Sequence, residues 1–510
     1  AYALPDTGEG LREKCGIVGV WLPEAAGQDQ PGVAQLTYAA LAGVQHRGYD
    51  GAGMFVIDPD HGIPYMGTKG EGRIDQALRA YGNGSVLDAV MPGARMGVGQ
   101  TRYGTNSLGG LEAVQPFWNG FVLTQNGHVE HVPGQQEGQG DTEAVTNELF
   151  RLSEQSDTDA AGGQALLNAI HQLGPQLEGA FSLIIGTHDQ LIGVRDHQGY
   201  RPLMLGYIAE RGAFVLASEE PALLNTGAEY VRDLEPGEVM SISDEGVRST
   251  LLSRPQSPFG GLCIMEEAYF ARADGHMEGR EIYQVRRALG AALARQHFLD
   301  LDIVVAVPES GRPAAEGYAQ ASGVPLVGGI TLNRDASERS FMKNAPGARA
   351  EAVRQKMLIM RSVVKGKRLG VVDDTIVRGT TFGVLGELLR IAGAREIHGL
   401  VPAAPQRNAC YQGIDIGDAR TLLAHRAGSI DRMRKELDFD TLNFLPVEAM
   451  LRAIQSVPQR QAPAHLQHLA PRPRRAEELP FRRCTTCMSG QRAISVPADR
   501  RLPLLPELTH

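Results

Sequence analysis

The chain is poor in cysteine, with five among 510 residues. Five thiols are too few for a disulfide scaffold and fit a reducing, intracellular setting. The first residues show neither the basic start nor the apolar segment of a secretion signal. Long apolar runs are missing as well, and none reaches the ~18 residues that a membrane span needs. The sequence therefore predicts a cytoplasmic protein with no membrane partner.

Basic residues are outnumbered by acidic ones, 50 Lys and Arg against 59 Asp and Glu, which gives a formal net charge of −9. Because binding to nucleic-acid phosphates requires a basic surface, nucleic acid is excluded as a general partner. Hydrophobic residues make up 42% and charged residues 21% of the chain, as in an ordinary globular protein. The length of 510 residues is enough for about two to four domains.

The first half of the chain has short apolar runs bounded by glycine, asparagine and aspartate, which is typical of many short strands in antiparallel sheets. Helical stretches lie between them. This pattern predicts an α+β layered sandwich, with strands at 15–21, 121–123, 180–186, 213–217 and 237–242 and helices at 32–44, 141–155 and 164–173.

From about residue 262 strands and helices alternate, which predicts a parallel sheet flanked by helices, an α/β arrangement. The strands are expected at 302–307, 368–372 and 396–401, and the helices at 314–321 and 381–392. After residue 457 the composition shifts to Pro, Gln, His and Arg, so 459–483 is predicted to be a solvated linker. Contact of Arg472, Arg474 and Arg475 with nucleic acid is the alternative.

Two adjacent acids, Asp373 and Asp374, end the predicted strand 368–372, and a short loop with Gly379 leads into a helix. Open α/β sheets bind ligands at the carboxyl ends of their strands, and helix N-termini attract phosphate. A ligand with a ribose diol near the acids and a phosphate on the loop fits both features. An ordinary turn with solvated acids is the alternative. The stretch resembles the ribose-phosphate signature of type I phosphoribosyltransferases.

Cys15 opens the first predicted strand, and by itself it would be interpreted as a buried structural thiol. Four further clusters change this interpretation: Gln-His-Arg-Gly at 45–48, Thr-Arg-Tyr-Gly at 101–104, Gln-Asn-Gly-His at 125–128 and Gly-Asp-Thr-Glu at 140–143. Together they resemble the glutaminase domain of class II amidotransferases over residues 15–242. These are N-terminal-nucleophile hydrolases, in which helices enclose two sheets in an αββα sandwich.

The resemblance implies that the Cys15 thiol attacks the side-chain amide of glutamine, with its own α-amine as the base. This requires cleavage of the Lys14–Cys15 bond, so residues 1–14 are expected to be a propeptide. Asn126 and the Gly127 backbone N–H are expected to stabilise the oxyanion.

Arg102 and Asp141 are expected to hold the α-carboxylate and the α-ammonium of glutamine. The alternatives are a surface ion pair for Arg102 and a helix N-cap for Asp141.

Both signatures in one chain, over residues 13–490, resemble the amidophosphoribosyltransferase family. The family implies that ammonia from glutamine is transferred to phosphoribosyl pyrophosphate in the first step of purine synthesis, with Mg²⁺ as cofactor. It also implies a homotetramer and purine nucleotides as inhibitors. The expected divisions are a propeptide at 1–14, a glutaminase domain at 15–255, a phosphoribosyltransferase domain at 256–457 and a linker with a cluster-ligating tail at 458–510.

In the second half the resemblance assigns a set of residues to the phosphoribosyl substrate and its metal: Ser310, Asp373 and Asp374 at Mg²⁺, Asp373, Asp374, Thr375, Arg378, Gly379, Thr380 and Thr381 around the ribose and 5′-phosphate, and Asn333 and Arg334 in a closing loop. Leu332 departs from the family, which has lysine there. Gln125 stands where the family commonly has histidine, and Tyr49 stands where it commonly has glutamine. A divergent paralogue with a different acceptor is therefore one alternative, and a non-catalytic nucleotide-binding regulator is another.

The other four cysteines are Cys263, Cys410, Cys484 and Cys487. By spacing alone, four thiolates fit structural zinc and a [4Fe–4S] cluster equally, and unrelated buried thiols are the remaining alternative. One branch of the resembled family has cysteines at these places that ligate [4Fe–4S], and the same branch carries propeptides. The resemblance therefore favours an iron–sulfur cluster that pins the tail across the domains.

Overall fold

The computed structural model describes residues 15–24, 32–57, 64–78, 94–104, 110–155, 163–253, 257–333, 348–414, 416, 418–473 and 481–491. The expected propeptide and Arg334 lie outside these residues. Within these ranges, no helix combines the length and the apolar composition that crossing a lipid bilayer would take.

The first half contains two antiparallel sheets. The seven-stranded sheet has the spatial order Glu229–Asp233, Met204–Ile208, Ala213–Ala217, Gly16–Trp21, Met96–Arg102, Gly51–Ile57 and Pro64–Glu71. The six-stranded sheet has the order Gly246–Leu251, Glu238–Ser243, Leu191–Arg195, Glu178–Gly186, Val122–His131 and Phe117–Trp118.

The strand Gly16–Trp21 shows why the two sheets stack. Ile17 and Trp21 belong to the core between the sheets, whereas Val18 and Val20 belong to a second core on the outer face. Successive side chains of a strand point to opposite faces. A strand that is apolar throughout is therefore one with both faces covered, and all six residues here are buried.

Helices cover the outer face of each sheet. Val33–Gly43 packs on the seven-stranded sheet, and Asp141–Glu154 and Gly163–Leu173 pack on the six-stranded sheet. The layers follow the order helix, sheet, sheet, helix, which confirms the predicted sandwich. The shorter helices of this half are Gln45–Arg47, Ile74–Ala77, Leu111–Ala113, Gly174–Gln176, Ala209–Arg211 and Glu220–Thr226.

The second half is built on a parallel sheet whose strands follow chain order: Ile303–Ala306, Arg368–Val372, Glu396–Val401 and Thr441–Phe444. Parallel strands bring their carboxyl ends to one edge, where ligands bind in open α/β sheets. The predicted parallel sheet is confirmed. Its helices are Glu266–Phe270, Ile282–Gln296, Arg312–Ser322, Ala348–Lys356, Arg361–Val364, Thr380–Ile391, Ala419–Thr421, Leu423–Ala427, Ile430–Leu437 and Val447–Gln455, with Thr486–Ser489 in the tail.

Three two-stranded sheets complete the second half: Leu262–Cys263 with Arg483–Cys484, His276–Met277 with Arg280–Glu281, and Ile330–Leu332 with Met357–Ile359. The first of these is parallel and ties the tail to the start of this half.

The predicted linker is largely exposed, as expected, but it is docked. Leu466 and Ala470 are buried in the core between the two large sheets, and the carbonyl of Ala470 accepts a hydrogen bond from Arg232 Nε at 2.9 Å. Arg472 forms an ion pair with Glu235 at 2.9 Å. Arg474 and Arg475 lie outside the described residues.

The predicted carboxyl boundary of the linker, at residue 483, is wrong. Arg483 is buried in a strand, where it makes two hydrogen bonds of 2.7 and 2.8 Å to Glu267 and one of 2.8 Å to Glu278. From the sequence alone, an arginine-rich segment is interpreted as solvated. The carboxylates that neutralise Arg483 lie more than 200 residues away in the sequence, so no local pattern indicates them.

Candidate active sites

Cys15 is half-buried and immediately precedes the central strand of the seven-stranded sheet. Gly16 pairs with Thr101, so Cys15 lies at the same sheet edge as Arg102, the last residue of the neighbouring strand. The carbonyl of Cys15 accepts a hydrogen bond from Arg47 Nε at 3.2 Å. The structure thus brings the predicted nucleophile and one predicted glutamine-binding residue to one edge.

Asn126 and Gly127 lie in the strand Val122–His131 of the other sheet. The two sheets are joined beside them, because Gln100 Nε2 donates to the carbonyl of Gln125 at 2.8 Å. Asn126 is 1% exposed. Neither the nitrogen nor the oxygen of its side-chain amide has a hydrogen-bond partner in the described part of the chain. A buried amide in this state is prepared to bind a polar group of a ligand, since burial without a partner is costly.

Glycine is required at position 127 for two reasons. Its φ is +116°, in a region that favours glycine. A Cβ there would lie 2.0 Å from the carbonyl oxygen of Ala180 and 3.1 Å from Arg201 Cγ. The backbone beside the Asn126 amide is therefore held in a conformation that other residues cannot adopt without strain.

Asp141 is the first residue of the helix Asp141–Glu154, and Gly140 is its N-cap, so the N-cap alternative for Asp141 is not met. The carboxylate accepts hydrogen bonds from Gln125 Nε2 at 2.6 Å and from the Val129 N–H at 2.9 Å, and it lies 3.3 Å from His128 Nδ1.

Burial by itself would raise the pKa of Asp141. The bond to His128 and its charge, together with the donors from Val129 and Gln125, outweigh burial and hold the pKa below its ordinary value. Asp141 therefore keeps the negative charge that an α-ammonium group requires.

Asp373 and Asp374 follow the strand Arg368–Val372 at the carboxyl edge of the parallel sheet, and both are buried. The Asp374 N–H donates to Asp373 Oδ1 at 2.9 Å, and Thr375 Oγ1 donates to Asp374 Oδ1 at 2.9 Å. The two acids and the start of the following loop therefore form one rigid unit.

Ser310 approaches this unit from the neighbouring strand. Ser310 and Asp374 line one narrow cleft, together with Ala268, Arg286, Leu289, Ala314 and Pro402. A Cβ on Gly311 would lie 2.6 Å from the carbonyl oxygen of Val372, so the two loops are in close contact. The structure thus brings together the predicted metal-binding residues on adjacent loops.

Gly379 has a φ of +87° and is the N-cap of the helix Thr380–Ile391. A Cβ there would lie 2.8 Å from Leu423 Cδ2. Thr380 and Thr381 form the first turn of the helix, where backbone N–H groups have no partner inside the helix and favour an anion. Arg378 precedes this turn, and its carbonyl accepts a hydrogen bond from Arg426 at 3.1 Å.

Asn333 follows the strand Ile330–Leu332 in a separate two-stranded sheet. Its N–H donates to the carbonyl of Lys356 at 2.7 Å and its side chain to the carbonyl of Gln355 at 3.0 Å. The rest of the predicted closing loop, including Arg334, lies outside the described residues.

The four remaining cysteines converge from three segments. Cys263 and Cys484 are aligned in the parallel pair of short strands. The carbonyl of Cys487 accepts hydrogen bonds from the N–H groups of Arg407 at 2.8 Å and Asn408 at 3.0 Å, next to Cys410. Burial raises the pKa of all four thiols, and the neighbouring thiols contribute to the rise for Cys263, Cys410 and Cys487. For Cys410 the pKa rises to about 12.

Thiols are the ligands that iron–sulfur clusters and zinc use, so the four cysteines have the donor type of such a centre. Cys263, Cys484 and Cys487 are buried and Cys410 is half-buried. Among the described residues, no group of three or more His, Cys, Asp or Glu side chains is spaced to hold a single metal ion.

Two residues that support the site have no recognisable role in the sequence. Gln125 is only a departure from the family there, whereas its side chain donates a hydrogen bond to Asp141. Arg47 belongs to the cluster at 45–48, and only the structure shows that it contacts Cys15. The partners of both residues are distant in the sequence, so no local pattern indicates them.

The sequence-family model of the glutamine amidotransferase domain matches residues 111–225 of this chain. The chain is 34% identical over 511 residues to an amidophosphoribosyltransferase of Bacillus subtilis, with 98% of each chain covered. It is likewise 34% identical over 511 residues to an amidophosphoribosyltransferase of Mycobacterium tuberculosis, covering 96% of this chain and 88% of the relative.

Among solved structures, the chain is similar to glutamine phosphoribosylpyrophosphate amidotransferase of Bacillus subtilis in complex with ADP and GMP. The TM-score is 0.77 at 31% identity, and the match covers 96% of this chain and 99% of the other. Full-length similarity at this identity extends over both sheet systems and both clusters of predicted site residues. This chain is therefore an enzyme and belongs to the amidophosphoribosyltransferase family.

Proposed function

We propose that this chain hydrolyses glutamine and transfers the ammonia to C1 of 5-phosphoribosyl 1-pyrophosphate. The products are 5-phosphoribosylamine, glutamate and pyrophosphate, in the first step of de novo purine synthesis. One observation carries the glutaminase half of the proposal: the buried amide of Asn126 is without a partner among the described residues, beside the positive-φ backbone of Gly127.

In the first half, Cys15 is the nucleophile. Once the Lys14–Cys15 bond is cut, the α-amine of Cys15, with a pKa of about 8, takes the thiol proton. The thiolate attacks the amide carbon, and the Asn126 side chain and Gly127 N–H stabilise the oxyanion. The proton then passes to the departing ammonia, and water releases glutamate from the thioester.

Glutamine is recognised through its α-carbon groups. Arg102 forms a paired contact with the α-carboxylate at the sheet edge that carries Cys15. Asp141, whose pKa is held low, receives the α-ammonium.

Cleavage before Cys15 is tested by the intact mass of active protein. We expect the mass of a chain that begins at Cys15. An enzyme that hydrolyses glutamine at full rate with residues 1–14 still attached would refute this step, because an amide nitrogen is not a base.

In the second half, Asp373 and Asp374 bind the ribose hydroxyls, and Thr375 together with residues 378–381 surrounds the 5′-phosphate. Ammonia displaces pyrophosphate at C1. Ser310 and the two acids are the residues that would hold Mg²⁺, which when bound neutralises charge on the leaving pyrophosphate. Asn333 is proposed to help exclude water from the site. Arg334, which the resemblance assigns to the same role, lies outside the described residues.

Cys263, Cys410, Cys484 and Cys487 are proposed to ligate a [4Fe–4S] cluster that pins the tail to the rest of the chain. The convergence of three buried thiols and the half-buried Cys410 supports this assignment. Protein purified without oxygen should be brown and contain about four iron and four sulfide per chain. One equivalent of zinc with no iron would overturn the assignment.

The proposed domains are the glutaminase domain at 15–255 and the phosphoribosyltransferase domain at 256–457, preceded by the propeptide and followed by the tail. Purine nucleotides are proposed as inhibitors, since the similar Bacillus subtilis structure was determined in complex with ADP and GMP. A cytoplasmic homotetramer completes the proposal.

A second candidate keeps the glutaminase and changes the acceptor. Leu332 favours it, because an apolar side chain replaces a cation expected near pyrophosphate. Three measurements separate the candidates: glutamate formed from glutamine, pyrophosphate released with glutamine, and pyrophosphate released with an ammonium salt. The first proposal requires all three activities. Glutaminase activity alone would support the second candidate.

A further inference from the structure

One carboxylate of the second half is enclosed by two arginines of the first half. Glu266 and its two partners, Arg47 and Arg201, are all fully buried. Arg47 donates to both oxygens of Glu266, at 2.8 and 3.0 Å, and Arg201 Nη1 donates to Oε1 at 3.2 Å. Glu219 also accepts a hydrogen bond from Arg47.

Each arginine of this triad contacts a different part of the proposed glutaminase site. Arg47 Nε donates to the carbonyl of Cys15 at 3.2 Å. Arg201 lies beneath Gly127, where an added Cβ would be 3.1 Å from Arg201 Cγ.

The backbone of Arg201 is fixed to the same strand pair. Its carbonyl accepts a hydrogen bond from Ser182 Oγ at 3.2 Å, and Ser182 is the strand partner of Asn126. Glu266 therefore contacts both Arg47, which holds the nucleophile Cys15, and Arg201, which packs against the oxyanion-binding backbone at Gly127.

A buried ion pair adds little net stability, because desolvation of both charges offsets their attraction. Removing one partner is nevertheless costly, since it leaves the other charge buried without compensation. Such an arrangement fixes geometry more than it stabilises the fold.

We propose that Glu266 is a positioning residue for glutamine hydrolysis: through Arg47 and Arg201 it sets the position of Cys15 relative to Asn126 and Gly127. This inference rests on the proposed function. It assigns to a residue of the phosphoribosyltransferase half a role in the chemistry of the glutaminase half.

The geometry makes the role specific. When Cys15 is the first residue of the mature chain, its carbonyl is the backbone acceptor nearest to the thiol, and Arg47 holds it. A misplacement of about 1 Å in a reacting group can cost about a hundredfold in rate. Loss of the Glu266 charge should therefore lower kcat for glutamine, while Arg102 and Asp141 continue to bind it.

The test is Glu266→Gln in the full-length enzyme. We expect kcat for glutamine hydrolysis to fall about 10- to 100-fold, with KM for glutamine within about threefold. Pyrophosphate release with an ammonium salt should stay near the wild-type rate, which shows that the variant is folded. Glu266→Asp, which keeps the charge, should recover part of kcat.

Glu238→Gln is the matched control. Glu238 is also fully buried, and it accepts hydrogen bonds from Arg232 at 2.7 and 2.8 Å, between the strands Glu238–Ser243 and Glu229–Asp233 of the first half. An unchanged glutaminase kcat in Glu266→Gln would overturn the inference, and so would equal losses in both variants or in both activities. A wild-type enzyme without glutaminase activity would instead refute the proposed function itself.

Discussion

Gln125 donates a hydrogen bond from its side-chain amide to the Asp141 carboxylate over 2.6 Å. The two residues are 16 positions apart, one in a strand and one at the start of a helix. The contact orients the carboxylate proposed to bind the α-ammonium of glutamine. The glutamine at position 125 therefore supports substrate recognition in this chain.

We predict that Gln125→Met raises KM for glutamine roughly tenfold, because a hydrogen bond to a charged group is worth about 1.5–3 kcal/mol. Glutamate release at varied glutamine concentration measures it. Gln164→Met, on the exposed side of the helix Gly163–Leu173, is the control and should leave KM unchanged. An unaltered KM in Gln125→Met would show that Asp141 is held in place without this contact.

Asp373 and Asp374 are predicted to serve only the second reaction. The double variant Asp373→Asn/Asp374→Asn should lower the rate of pyrophosphate release by more than about a hundredfold. This is the scale of losing a preorganised electrostatic contact. The loss should be equal with glutamine and with ammonium as the nitrogen donor. Glutamate formation from glutamine should persist.

Asp302→Asn is the control for these acids. Asp302 lies at the opposite end of the sheet, where it accepts hydrogen bonds from the N–H of Arg368 at 2.8 Å and its Nη2 at 2.9 Å. This variant should retain both activities. Loss of glutaminase in the double variant would indicate a general folding defect instead of a local one.

The sequence predicts the elements of the second sheet well. The observed strands Arg368–Val372 and Glu396–Val401 have the predicted bounds, and the helix Thr380–Ile391 is shifted by one residue. Short apolar runs that end at acids or glycine carry this information locally. Asp373 and Asp374 follow directly on the apolar run of the strand Arg368–Val372, so their place at the carboxyl end of the sheet could be predicted.

Contacts between distant segments have no such local signal. The pairing of Arg47 with Glu266 spans 219 positions, and that of Arg483 with Glu267 spans 216. A charged residue looks solvated in the sequence, and only the tertiary fold brings its buried partner. The docking of the linker and the support of Cys15 could therefore not be predicted, whereas the positions of the main strands and helices followed from periodicity and glycine punctuation.

Gly379 and Gly383 allow a matched comparison in one helix. Gly379→Ala should cost about 1–2 kcal/mol of unfolding free energy, since a left-handed backbone disfavours a Cβ and Leu423 Cδ2 is only 2.8 Å away. It should also raise KM for phosphoribosyl pyrophosphate, because the loop proposed to bind the 5′-phosphate turns at this residue.

Gly383→Ala should be neutral or stabilise the enzyme by up to about 1 kcal/mol, since alanine is the better helix former and its Cβ would meet only Leu437 at 3.8 Å. Urea denaturation and substrate kinetics measure both variants. Equal effects of the two substitutions would contradict the assigned role of the Gly379 turn.

Glu219 is expected to make the stability of the enzyme depend on pH. Burial alone would raise the pKa of this carboxyl, but the adjacent His46 and Arg47 lower it from 4.5 to about 2. Between these two values the unfolded chain binds more protons than the folded one, so the free energy of unfolding falls as the pH drops from 4.5 towards 2. The contribution is fully present above pH 4.5 and is on the order of 3 kcal/mol.

Glu219→Gln should therefore destabilise the enzyme most at pH 7, and its difference from wild type should shrink progressively below pH 4.5. Urea denaturation at a series of pH values measures this difference. Glu245→Gln, a substitution of an exposed carboxylate that pairs with Arg248, should follow the wild-type curve at every pH. A Glu219→Gln difference that stays constant from pH 7 to pH 3 would mean that the destabilisation arises from packing. The ionic interactions of Glu219 with Arg47 and His46 would then not contribute to it.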